Sequence, residues 1–132
     1  MRKLLFILIT IFPSLVLADE EFLFCMDTAT NLNKKLPLMV DEVTNWKNTT
    51  CKNGNPIIFQ YFYYLEKPLT PDEQANMPRI LRNIFTVSLK QWCQNPDQKL
   101  LLNLFNVEYI YFDKNDKYLG NIEFTQDDCS KI

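Results

Sequence analysis

The sequence contains no histidine and only two glycines among its 132 residues. The lack of histidine excludes serine or cysteine nucleophiles activated by an imidazole, histidine metal ligands and imidazole acid-base catalysis. Two glycines are too few for a glycine-rich phosphate-binding loop. The remaining composition, 47% hydrophobic and 14% aromatic, is typical of a globular protein, and the length predicts one folded domain.

Residues 1–18 have the pattern of a secretory signal peptide. Arg2 and Lys3 precede an apolar run over residues 4–12, and the segment ends at Ala18. This run is shorter than the ~20 residues of a membrane-spanning helix, so we expect no stable membrane insertion after cleavage. Cleavage removes two of the 14 basic residues and no acidic residue, which lowers the net charge from −2 to −4. We therefore expect a periplasmic or secreted domain over residues 19–132 that does not bind nucleic acid.

The four cysteines, Cys25, Cys51, Cys93 and Cys129, all follow the signal segment. In an exported protein this even number indicates two disulfides, for which three connectivities are open. A zinc site formed by four thiolates is the alternative, but the chain has no Cys-x-x-Cys spacing and an oxidising compartment disfavours it. We expect no metal ion and no cofactor.

The first part of the mature chain has apolar residues at helical spacing. Asp27 is a suitable N-cap for a helix predicted over residues 27–43. The apolar residues that this helix would place on one packed face are Leu32, Leu36, Met39, Val40 and Val43. Because Pro37 falls inside this segment, we expect a kink there or a second helix that begins at this proline.

Two later segments also begin with helix-capping residues. Thr70 and Glu73 form a capping box, which predicts a helix that Pro78 bends or restarts and that continues to Cys93. Asn95 caps a short third helix.

Strand patterns form two predicted hairpins. The turn signal Asn53-Gly54 precedes a strand over residues 56–66, and a polar turn joins strands over residues 107–112 and 118–125. The order helix, hairpin, helices, hairpin predicts an α+β fold: a four-stranded antiparallel sheet with helices packed on one face. In this arrangement the pairs Cys25–Cys51 and Cys93–Cys129 would each tie a helix to its own hairpin, and we favour that connectivity.

The strand over residues 56–66 is apolar or aromatic on both faces. Such a strand is either central and covered on both sides, or covered on one side and open to a partner on the other. One face, which we expect beneath the helices, carries Phe59, Tyr61, Tyr63, Tyr109 and Tyr111. The same alternation places four side chains on the far face, where they are our candidates for partner binding: Phe62, Tyr64, Ile110 and Phe112.

Several segments of the sequence together resemble a known group of bacterial proteins. Residues 33–44 match the pattern N-x-x-L-P-x-x-V-D-x-x-T. The other matching segments are Phe59-Gln60-Tyr61, Cys93 with Pro96 after it, Tyr109-Ile110-Tyr111-Phe112 and Asp128-Cys129. The pattern resembles the small exported proteins of unknown activity called quorum-sensing-regulated virulence factors. The resemblance implies no catalytic residue, and it implies Cys93 and Cys129 as the shared pair, with Cys25 and Cys51 peculiar to this sequence.

No residue pattern points to catalysis. Adjacent carboxylates such as Asp41-Glu42 and Asp127-Asp128 point in different directions, so they do not form a two-carboxylate site. We therefore expect no enzymatic activity and no catalytic residue. The leading hypothesis is an exported, virulence-associated module that binds a protein partner through the aromatic sheet face, where a second copy of the chain is one such partner. The alternative is an inhibitor or immunity protein that blocks a secreted hydrolase with an acidic loop.

Overall fold

A computed structural model describes residues 20–132, so the predicted signal peptide lies outside the described residues. Within this range the chain forms one mixed sheet with the strand order β1-β2-β3-β4-β5. Its strands are β1 (Leu38–Met39), β2 (Thr44–Lys52), β3 (Ile58–Leu65), β4 (Asn106–Phe112) and β5 (Tyr118–Phe124). The helices are α1 (residues 20–33), α2 (Pro71–Ala75), α3 (Met77–Gln94), α4 (Pro96–Leu104) and α5 (Gln126–Cys129).

The predicted four-stranded antiparallel sheet is wrong in two respects. The sheet has five strands, because the two-residue strand β1 pairs with the start of β2. It is also mixed, since β3 and β4 run parallel. Both predicted hairpins, β2–β3 and β4–β5, are present and antiparallel. The error lies in the connection between them: α2, α3 and α4 return the chain to the end of the sheet where β3 began, and β4 must therefore run in the same direction.

The first predicted helix is wrong in its bounds. The helix covers residues 20–33 of the described chain, so Asp27 lies inside it and does not cap it. It ends before Pro37, which lacks an N–H and disfavours helical geometry at the preceding residue. The chain then enters β1, and Met39, which we predicted on a packed helix face, is exposed.

The later helix signals are confirmed. Thr70 caps α2 through a full capping box, in which its N–H donates to Glu73 Oε1 at 3.2 Å. This hydrogen bond lowers the pKa of the Glu73 carboxyl. The predicted restart is also present, because Pro78 lies in the first turn of α3. Asn95 caps α4 by accepting from the N–H groups of its first turn. None of the helices in residues 20–132 is long and apolar enough to cross a membrane.

Helix α3 packs closely on the sheet, and a glycine permits its approach to β5. Trp92 and Leu81 of α3 are buried in the same core as Phe124 of β5. Gly120 has a φ of +148°, and a Cβ at this position would lie 2.5 Å from Leu81 Cδ1. Any other residue at position 120 would therefore be strained at this φ, and the Leu81 side chain would have to move to make room for its Cβ.

The favoured disulfide connectivity is confirmed. Cys25 bonds Cys51 and ties α1 to β2, whereas Cys93 bonds Cys129 and ties α3 to α5. Because these bonds leave no free thiol, the zinc alternative is wrong.

Replacing Cys93 and Cys129 together by serine should lower the free energy of unfolding by about 4 kcal/mol. The reason is that this disulfide joins residues 36 positions apart and so reduces the conformational entropy of the unfolded chain. Urea unfolding under oxidising conditions measures the loss. The matched Cys25→Ser/Cys51→Ser variant, with a separation of 26, should lose slightly less. A loss below ~1 kcal/mol for both variants would contradict this account.

Candidate functional site

The sheet face beneath the helices is an aromatic layer. Phe59, Tyr61, Tyr63 and Tyr111 are buried and Tyr109 is half-buried, which confirms the predicted alternation. Rings of this layer meet edge to face, as Tyr63 and Tyr109 do at 4.9 Å between centroids. This geometry suits the aromatic quadrupole, so the layer is a packed core.

The hydroxyl groups in this layer are held in their neutral form. Trp92 Nε1 donates to the Tyr109 hydroxyl at 2.6 Å. Burial raises the pKa values of Tyr61, Tyr63, Tyr109 and Tyr111 above the ordinary value of 10. For Tyr61, Tyr63 and Tyr111 the nearby Tyr109 phenol raises the pKa further, because ionised neighbours would repel each other. These phenols therefore supply no base or nucleophile near neutral pH.

The four predicted partner-binding residues come together on the opposite face. Phe112 stacks on Tyr64 at 4.9 Å and on Phe62 at 6.2 Å between ring centroids, and Ile110 lies beside Phe62 in the parallel register. All four are half-buried. The helices pack on the other face, where α3 and α4 contribute to the buried core and the Cys25–Cys51 bond holds α1 beside Phe59. Tyr118, which is 56% exposed, meets Phe112 edge-on at 6.1 Å. We call these five residues the open-face patch.

Sequence reasoning missed Tyr118 because a register shift lies between Tyr111 and Phe112. The irregularity places Tyr118 directly across from Phe112, next to the predicted residues. Simple alternation along β5 cannot reveal such a shift, although an aromatic residue at the first position of the returning strand is a usable signal.

A row of hydrogen-bonded polar side chains crosses the same face. Gln60 Nε2 and Asn121 Nδ2 donate to the two carboxylate oxygens of Glu108, at 2.8 and 2.6 Å. The row continues at both ends, where the hydroxyls of Thr50 and Tyr118 donate to the amide oxygens of Gln60 and Asn121. Both oxygens of Glu108 are thus engaged, so this carboxylate orders the face. The sequence pattern did not indicate this row.

A cavity of about 440 Å³ lies on the helical side of the sheet. Its apolar lining includes Val40, Leu69, Met77, Ile80 and Ile84. We call it the helix-side cavity, and its size is that of a typical small ligand or side-chain site. The sequence did not predict it, because it forms where the segment around β1 meets α2 and α3.

The charged groups at this cavity already have partners. Lys67 Nζ lies 3.3 Å from Glu73 Oε2, and Asp41 Oδ1 accepts from the N–H groups of Val43 and Thr44. In residues 20–132 no three acidic or cysteine side chains are grouped to hold a metal ion. The cavity is therefore an apolar site with a paired polar rim.

The fold is shared with small bacterial proteins of export and secretion. No protein-family model matches the sequence, and no curated protein is similar to it at the sequence level. A Pseudomonas aeruginosa protein described as secreted superposes with a TM-score of 0.59 at 13% identity, over 83% of this chain and 96% of that one.

Two further solved structures are pilotins of type 2 secretion systems. EpsS of Vibrio vulnificus superposes with a TM-score of 0.63 at 11% identity, over 84% of this chain and 93% of that one. AspS of Vibrio cholerae superposes with a TM-score of 0.54 at 15% identity, over 84% and 94%. At these identities the likeness is one of fold.

The buried phenols should make the protein less stable in alkaline solution. Folding raises their pKa values, so the stability they contribute is fully present below pH 10 and is lost as the pH rises above it. The loss is at most ~1.4 kcal/mol per pH unit for each phenol. Urea unfolding at several pH values above 10 measures this slope. The Tyr111→Phe variant should show a smaller slope than the parent, and equal slopes would contradict the assignment.

Proposed function

We propose that this protein is an exported, non-enzymatic module that binds a protein partner through the open-face patch. One observation carries the proposal: three stacked rings, an isoleucine and an exposed tyrosine share the sheet face opposite the buried core and its helices. The solvated face of a sheet ordinarily carries polar side chains. Aromatic clusters on such a face are typical of interface cores, because rigid rings bury a large area at a small entropy cost.

Signs of export and the absence of histidine from the sequence support the same proposal. The two disulfides are typical of an oxidising compartment, and the fold is shared with a secreted protein and two secretion-system pilotins. The phenols of the aromatic layer beneath the helices are neutral near pH 7, and Glu108 is engaged on both oxygens. The association with virulence is part of the proposal and rests on the resemblance to the quorum-sensing-regulated group.

The rim of the patch has the polar character of an interface edge. Lys47 Nζ lies 4.4 Å above the ring of Tyr64 and 3.9 Å from Glu66 Oε1. Charges of both signs thus lie at one end of the apolar patch, where they stay in contact with water. A partner that fits this surface presents apolar side chains to the rings and polar groups to Lys47.

A photo-crosslinking amino acid at Ile110 should capture the partner in cells, and mass spectrometry should identify it. With the purified partner, the Phe62→Ser/Phe112→Ser variant should bind at least ~30-fold more weakly, because central aromatic anchors dominate interface energies. The matched control is Val87→Ser on α3, which removes a 66% exposed apolar side chain from the helical side. Unchanged binding by a folded patch variant would overturn the proposal.

The helix-side cavity favours a second candidate function, a pilotin-like role in a type 2 secretion system. The shared fold and an apolar cavity that can accept a partner's side chain support it. The Ile80→Gln/Ile84→Gln variant should then reduce secretion of a type 2 substrate at least ~10-fold in a deletion strain, whereas the Phe62→Ser/Phe112→Ser variant should restore it. The opposite pattern would exclude this candidate in favour of the open-face patch. The inhibitor or immunity alternative stays a prediction.

A further inference from the structure

The two long edges of the sheet differ in how the described chain covers them. Strand β1 pairs with Asn45 and Trp46 of β2. Further along β2, the side-chain amide of Asn33 on α1 takes the place of a neighbouring strand. Thr49 N–H donates to Asn33 Oδ1 at 2.8 Å, and Asn33 Nδ2 donates to Thr49 O at 2.9 Å. This edge is therefore blocked, as sheet edges in monomeric proteins usually are.

The opposite edge, formed by β5, has no such cover. Asn106 N–H donates to Ile57 O at 2.9 Å, which shows that the backbone of Asn106 faces β3 and that of the next residue faces β5. The hydrogen-bonded pairs between β4 and β5 are therefore Val107 with Phe124, Tyr109 with Ile122 and Tyr111 with Gly120.

It follows that the N–H and C=O groups of Asn121 and Glu123 point away from the sheet. Strand β5 ends the strand order, and no turn, cap or side-chain hydrogen bond within residues 20–132 reaches these groups. Both residues are exposed. Four backbone groups are thus placed to pair with an added strand.

A groove runs beside this edge and suits the side chains of an added strand. It has a volume of about 510 Å³, and its lining includes Pro78, Arg82 and Phe85 of α3 together with Leu119 and Ile122. A strand paired with β5 would turn alternate side chains into this groove. The groove therefore accepts small apolar side chains.

The charge at the groove indicates the chemistry of the segment that would pair with β5. Arg82 is exposed, and none of the ion pairs within residues 20–132 includes it. A carboxylate on the incoming segment would pair with this guanidinium. A second copy of the chain fits less well, because twofold pairing of β5 with itself would place both α3 helices on one side of the joined sheet and bring the two Arg82 side chains together.

We propose that the outer edge of β5 binds an extended, acidic segment of a partner protein by strand addition. The backbone of Asn121 and Glu123 pairs with the segment, its small apolar side chains enter the groove, and its carboxylate meets Arg82. This site is separate from the open-face patch and does not depend on it.

The probe is a synthetic peptide with blocked ends and the sequence Thr-Val-Thr-Asp-Thr-Val-Thr, which places both valines and the aspartate on one face. Two-dimensional NMR should show that the amide signals of Asn121 and Glu123 shift, and that their hydrogen exchange slows at least ~10-fold in the complex. The signals of Phe62 and Tyr64 should stay unchanged. Peptide-induced changes confined to those two residues, or no change at Asn121 and Glu123, would overturn the proposal.

Two pairs of variants test the backbone and the charge separately. Glu123→Pro removes the outward N–H at an edge position where proline is tolerated, whereas Glu123→Ala keeps it. The proline variant should bind the peptide at least ~5-fold more weakly than the alanine variant. Arg82→Gln should weaken binding as much as an aspartate-to-asparagine change in the peptide, with little further loss when both are combined.

Three results in this set would contradict the proposal. These are equal binding by the folded proline and alanine variants, no effect of Arg82→Gln, and a dimer in sedimentation that Glu123→Pro abolishes, which would identify a second copy as the occupant. If the proline variant does not fold, the NMR measurement on the unaltered protein decides the question.

Discussion

The parallel pairing of β3 with β4 at the centre of the sheet is the constraint on which the rest of this structure depends. Parallel neighbours cannot be joined by a tight turn, so the chain between them must cross from one end of the sheet to the other. Helices α2, α3 and α4 make this connection and bury the aromatic layer on one face. The other face is left to the open-face patch and the polar row.

The features that could be predicted from the sequence depend on local rules. Capping at Thr70 and Asn95 follows from side chains that reach N–H groups two or three residues away. The alternation along β3 and β4 identified four of the five open-face patch residues, because the side-chain direction repeats every second residue. The disulfide connectivity followed from the order of elements, even though the predicted sheet was wrong.

The features that were missed depend on contacts between distant segments. The direction of β4 relative to β3 depends on where the connection through α2, α3 and α4 ends. The residues within the two strands do not indicate this direction. To predict the row through Gln60, Glu108 and Asn121, one must know how β3, β4 and β5 are aligned with each other. The first helix was misplaced because apolar residues on both sides of Pro37 continue the same spacing, although the helix ends before the proline.

The two disulfides follow one another along the chain and do not interleave, since the loop from Cys25 to Cys51 closes well before Cys93. No crosslink spans the connection at residues 66–70, between β3 and α2. Cleavage of one peptide bond there would give two covalently independent pieces, each with its own disulfide. Only the ladder between β3 and β4 and the packing around it would hold these pieces together, so the protein has a natural division point for fragment complementation.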